Sequence, residues 1–225
     1  MLACHQALHD PAREPRNRLR WLPELRRWQA SRLERSFGRF LDDPKSAPAA
    51  RFFLTEVYGD HDFSQRDADI ARVMPAMQRL LPASLLGTVA DGIALGALTH
   101  AFDLRMAEAL ASIAPTGRKL DDARYAQAYR RVGLPRLRAK QIALIDDVGR
   151  GLGHALRLPG VGMLLRMSRG PAQAAGLAEL QGFLERGIAA FRELGNVDVF
   201  LDEIARSERR VAQRLFDGAP DPFAP

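Results

Sequence analysis

One cysteine, Cys4, is all that this 225-residue chain contains, which excludes an intramolecular disulfide and any cysteine-based metal cluster. Lysine is nearly as scarce, at positions 45, 119 and 140, so arginine supplies 30 of the 33 basic groups. No apolar run reaches the roughly 18 residues that a membrane-crossing helix needs; the best, from Leu85 to Ala101, is interrupted by Asp91 and His100. The first residues, MLACHQALHDPAREP, hold no apolar stretch followed by a small-residue cleavage site, so no secretory signal is apparent and cytoplasmic residence is the expectation. The alternation of β-branched residues that marks strands is missing. Chemical motifs are missing too. The chain has no Glu-x-x-His of the kind helical bundles use for paired metals and no Gly-x-Ser-x-Gly elbow; no Gly-Lys-Ser/Thr follows the glycines at 149, 151 and 153. Common hydrolases and P-loop enzymes are thereby disfavoured, and no cofactor is expected.

What is present is helical periodicity. At 47% hydrophobic residues the chain can bury a substantial core, and the pattern predicts an all-α, single-domain bundle of about eight helices. Residues 1–14 read as disordered, residues 15–216 as the domain and 217–225 as a loose tail. Within the domain, 15–44 forms a basic helix packed on the body or swapped from it, with Trp21, Leu25, Trp28 and Arg32 on one face. Further helices are predicted over 47–58, from Ser64 to a kink at Pro75, from Pro82 to Ile113, and over 121–132. Another starts at Arg136 and should weaken at Gly149, Gly151 and Gly153; the last two span 176–194 and 197–216.

The charge is concentrated. Residues 11–40 hold nine arginines against three glutamates, which equals the net charge of the whole chain, +6. Such a segment could meet nucleic acid or an anionic membrane surface. Two tryptophans on one face need burial more than arginines need phosphate, so packing is favoured.

Three constellations are candidates for function. Residues 52–69, FFLTEVYGDHDFSQRDAD, crowd aromatic and acidic groups: Phe52, Phe53, Glu56, Tyr58, His61, Arg66 and Asp67 are the residues to watch. Patterning gives Phe52 and Phe53 a buried face, and Ser64 with Asp67 a helix-capping role. The second is a polar stripe along the long apolar helix, Asp91, Thr99 and Asp103 beside Gly92 and Gly96, with His100 one turn before Asp103 as a His and carboxylate pair. It is either a buried ion-pair network, with arginines 66, 72, 138 and 150 as partners, or a polar pocket; the network is favoured. The third runs from Gly149 to Gly170 and sets Arg150, His154, Arg157, Arg166 and Arg169 beside Met163 and Met167. It suits a membrane surface or an acyl chain, and reads more simply as a helix-loop-helix connection with a solvated basic face.

The FFL-x-x-x-YG segment at 52–59 followed by F-S-x-R-D at 63–67, with GFLERGIAAFRELG at 182–195, resembles an uncharacterised family of bacterial helical proteins, over residues 47–216. The resemblance implies an all-α domain and a bacterial cytoplasmic setting; it carries no activity, cofactor or catalytic residue. The reading that follows is a non-enzymatic binding protein, a homodimer, recognising a protein partner or a small apolar ligand. Its alternatives are a metal- or cofactor-dependent bundle enzyme using Glu56, His100 and Asp103, and a nucleic-acid- or membrane-associated protein acting through its basic first helix.

Overall fold

A computed structural model describes residues 8–57, 83–117, 119–158 and 160–224. Among them are nine α-helices and no strand: α1 (Trp21–Ser36), α2 (Gly38–Asp42), α3 (Ala47–Phe52), α4 (Ala83–Ile113), α5 (Asp122–Val132), α6 (Pro135–Arg157), α7 (Val161–Ala174), α8 (Ala178–Arg192) and α9 (Val197–Asp217). The turn at 60–63, the capping box from Ser64 and the Pro75 kink lie outside the described residues.

The predicted basic helix is divided. A 3₁₀ turn, Pro15–Arg18, precedes α1, and the chain bends again at Phe37 before α2. Burial explains the bend, because Phe37 and Phe40 are both drawn into the core. Next, α3 passes directly into a π-helical turn, Phe53–Val57. Phe52, Phe53 and Leu54 are all buried, although three consecutive helical residues fan over about 200°. They can be, because this helix is enclosed: Phe52 meets Phe183 at 5.3 Å, and Phe53 lies 5.8 Å from Phe191 and 6.0 Å from Phe200.

The glycines at 149, 151 and 153 do not interrupt α6, which runs unbroken to Arg157. They are contact points. A methyl group at Gly149 would lie 2.5 Å from a Leu201 methyl carbon, one at Gly153 3.0 Å from Val197 Cγ1, and one at Gly151 2.1 Å from Thr88 Oγ1. Gly149 and Gly153 sit one turn apart and match Leu201 and Val197, one turn apart on α9; Gly151 faces α4. The triplet thus lets α6 be wedged between two helices at close range, and packing outweighs a propensity cost of about 1 kcal/mol per glycine.

Helix ends are set locally. Asp121 Oδ1 accepts the Arg124 backbone N–H at 2.8 Å to open α5, and Asn196 Oδ1 accepts that of Val199 at 3.1 Å to open α9. Described residues near each end of the chain touch the body. Asn17 Nδ2 donates to the Leu8 carbonyl at 2.8 Å, and the His9 ring stacks on His100 at 3.8 Å. Beyond α9, Gly218 at φ +70° turns the chain back, so that Phe223 packs on Trp28 at 5.3 Å and Tyr125 at 5.9 Å. No helix among the described residues is long and apolar enough to cross a membrane.

Candidate functional site

The core has two apolar halves. One gathers Leu33, Phe53, Leu95, Leu144, Phe200 and Ile204; the other gathers Trp21, Leu25, Leu104, Tyr125, Tyr129 and Val211. Three helices, α1, α4 and α9, pass from one half to the other, and each carries polar residues at the crossing: Arg26, Gln29 and Arg32 on α1, Thr99, His100 and Asp103 on α4, Glu208 on α9; α6, whose apolar residues belong to the first half, adds Arg138 and Gln141. Buried polar groups need partners, and these form a belt. Arg32 grips Glu208 with two hydrogen bonds, 2.5 and 3.0 Å. Gln141 Nε2 donates to Thr99 Oγ1 at 2.8 Å and its carbonyl accepts Arg138 Nη1–H at 3.1 Å. Arg138 Nε and Nη2 find no hydrogen-bond acceptor among the described residues. The guanidinium instead lies 3.6 Å from the Phe102 ring centroid and 4.6 Å from that of Tyr129, where ring faces offer partial negative charge.

Asp103 and His100 belong to this belt. Burial pushes the Asp103 carboxyl above its ordinary range; Arg26, with Nε 3.8 Å from Oδ2, opposes that, as do Gln29, which donates to Oδ1 at 3.3 Å, and the charge of Arg138. His100 Nε2 lies 3.0 Å from the Leu8 carbonyl, which can only accept, and Nδ1 lies 3.1 Å from Arg26 Nη2, which can only donate. Those partners select the neutral tautomer with its proton on Nε2. Burial likewise raises the Tyr129 hydroxyl to about 12.

The other predicted residues lie elsewhere. Phe52 and Phe53 are core residues, and Glu56 accepts Arg186 Nε–H at 2.6 Å and Nη2–H at 3.1 Å. Asp91 is half-buried on α4, without a hydrogen bond or ion pair among the described residues. Tyr58, His61, Arg66 and Asp67 lie outside the described residues. Glu56 therefore binds α8, while His100 and Asp103 face α1. No group of three or more His, Cys, Asp or Glu among the described residues is placed to hold a metal ion. The Arg-rich segment is engaged internally: Arg13, Arg16, Arg26, Arg27, Arg32, Arg35 and Arg39 each lie within 4.0 Å of a carboxylate oxygen, and Arg20 donates to the Ala114 and Pro115 carbonyls.

Open space occurs at another place. A cleft of about 250 Å³ lies where α6, α7, α8 and α9 meet. Val161, Ile188, Phe191, Leu194 and Val197 supply apolar side chains to its lining, together with Gly153, Gly162 and Gly195; of these glycines only Gly195 has open space where a side chain would stand. Arg157 and Arg192 stand at its edge; Arg157 lies 3.7 Å from Asp198. The aromatic motif supports this cleft from behind, since the Phe191 ring forms one wall on its open side and meets Phe52 at 6.2 Å and Phe53 at 5.8 Å on the other. Sequence patterning singles out the 149–170 segment but not Ile188 or Arg192, whose helical spacing is that of any amphipathic helix.

A family model described as a domain of unknown function, DUF8198, matches residues 8–222. No curated protein and no solved structure matches the chain.

Proposed function

Because the chain belongs to the DUF8198 domain family, a grouping defined without a function, we propose a role from its own geometry: it is a non-enzymatic binding protein that holds a small, largely apolar molecule between α6, α7, α8 and α9. The observation that carries this reading is the cleft itself. It is an open concavity in which apolar side chains, Val161, Ile188, Leu194 and Val197 among them, stand beside polar groups in about equal measure, and a concave lining that mixes the two suits a small molecule with an apolar body and a polar group. Its size sets the occupant. A cavity of about 150 Å³ accepts benzene, so one of about 250 Å³ takes a benzene-sized body with a short substituent. The belt, by contrast, is closed: most of its buried groups hydrogen-bond to one another and the Arg138 guanidinium lies against the Phe102 and Tyr129 rings, which suits a joint better than a site.

Ligand-detected NMR with phenylacetamide tests the reading. Saturation transfer from the protein to the probe is expected in the native chain. It should vanish in Ile188→Trp, whose indole fills the cleft, while the melting temperature of that variant stays within a few degrees of the native value. Equal transfer in both proteins, or none in either, overturns the proposal.

A further inference from the structure

Two arginines without a direct ion pair among the described residues meet at the rim of the same cleft. A methyl group placed at Gly162 would lie 3.0 Å from Arg192 Nη2 and 3.8 Å from Arg166 Nη1, so two guanidinium groups converge on one point of the backbone. Like charges converge in this way at a cost, and elsewhere in this protein arginines so placed are neutralised. Arg169 is paired with Glu185 at 2.6 and 2.7 Å, Arg186 with Glu56 at 2.6 Å, and Arg150 with Asp146, Asp198 and Asp202 at 2.5 to 3.1 Å. Arg166 and Arg192 have no carboxylate within ion-pair distance among the described residues, although Glu185 and Glu193 share their surroundings in sequence. Glycine at 162 is what admits Arg192 to this position, because its guanidinium tip occupies the space of a side chain.

We infer that the ligand of the cleft is a small organic anion: an apolar body lies against Ile188, Phe191 and Val197, and its acid group, carboxylate or phosphate, sits between Arg192 and Arg166 above Gly162. This rests on the cleft being a binding site, and it adds the chemical class of the occupant. Guanidinium groups donate in a planar fork that matches either acid. Arg157 is the less suited of the neighbouring cations, because Asp198 already faces it. The cleft volume fits the same picture, since a benzene-sized body of about 150 Å³ leaves room within 250 Å³ for a two- or three-atom acid group.

Calorimetric titration of the full chain with phenylacetate, benzyl phosphate, phenylacetamide and acetate separates the possibilities. At least one of the two aromatic anions is expected to bind about tenfold more tightly than the neutral amide, and acetate much more weakly than phenylacetate. Arg192→Gln and Arg166→Gln, both on exposed side chains, should each cut the affinity for the anion about three- to fivefold and leave the amide unchanged. Anions and amide binding equally would overturn the anionic class while leaving the cleft as a site. Acetate binding as tightly as phenylacetate would overturn the apolar body. Binding of none of the four, or binding that survives Ile188→Trp, would overturn the inference together with the reading beneath it.

Discussion

Gly149→Ala separates two accounts of the glycines in α6 by sign. If Gly149 merely weakens the helix, alanine raises stability by about 1 kcal/mol, the ordinary propensity difference. The structure demands the opposite. The new methyl would stand 2.5 and 2.8 Å from the two methyl carbons of Leu201 and 3.2 Å from Cγ, well inside the roughly 3.5–4.0 Å at which carbon atoms rest. Leu201 is 1% exposed and has nowhere open to go. Overpacking of this kind costs about 1–3 kcal/mol; after the propensity gain, a net loss of about 1 kcal/mol is expected, or roughly 2–4 °C in melting temperature for a chain of this size. The partner should reverse the sign. Leu201→Ala alone costs about 2–5 kcal/mol through the cavity it leaves, but in that background Gly149→Ala meets no clash, fills part of the void and stabilises by about 1 kcal/mol. Urea unfolding followed by helical circular dichroism, on the four proteins of the cycle, supplies each term. A gain in stability from Gly149→Ala in the native background would refute the packing account, as would an unchanged sign in the Leu201→Ala background.

Two further expectations concern the polar belt. Glu208→Ala removes the carboxylate that takes two hydrogen bonds from Arg32, whose side chain is 9% exposed, and should cost about 3–5 kcal/mol, whereas Arg32→Met with Glu208→Leu should recover most of that loss in urea unfolding; an equal loss in the double variant would mean that the pair itself holds α1 to α9. The second uses pH. Burial raises the folded-state pKa of Asp103, so the stability this carboxyl contributes is fully present below its unfolded value near 3.8 and is lost as pH rises through the folded one; Asp103→Asn should therefore gain on the native chain between pH 4 and pH 7, and a difference in stability that is flat or falls with pH would contradict the assignment.

The long helices were legible because their periodicity is long. The starts expected at 121 and 197 fall beside the observed caps, Asp121 and Asn196, of α5 and α9, and Pro82 falls immediately before α4. What escaped the sequence is tertiary in origin. Gly149, Gly151 and Gly153 look alike whether a helix is failing there or two helices are touching it, and only Leu201, Val197 and Thr88 decide. Asp103 called for an arginine, and the expected set of 66, 72, 138 and 150 missed Arg26, which lies 77 positions earlier and comes close only when α1 crosses α4. The division of the first helix at Phe37 falls just before Gly38, a local weak point within an otherwise helical pattern, and the burial of Phe37 and Phe40 in one core fixes it there. The cleft was legible in half. Its α7 wall lies in the segment marked for charge and apolarity, while Ile188, Phe191 and Arg192 lie in the GFLERGIAAFRELG stretch, which the sequence marks by resemblance and helical period but not as the wall of a cleft.

The clasp of Arg32 on Glu208 joins residues 176 positions apart, and Trp28 meets Phe223 across a still longer stretch of chain. The order of synthesis gives that connectivity a meaning. A nascent chain bearing α1 through α8 already has the partners for much of the half around Phe53 and Leu144. The half around Trp21 and Tyr129 still lacks Val211, Leu215 and Phe223. Until α9 leaves the ribosome, Trp28 and Tyr125 stay partly uncovered and Arg32 lacks its counter-ion. That interval is when this chain has most need of protection from association with its neighbours.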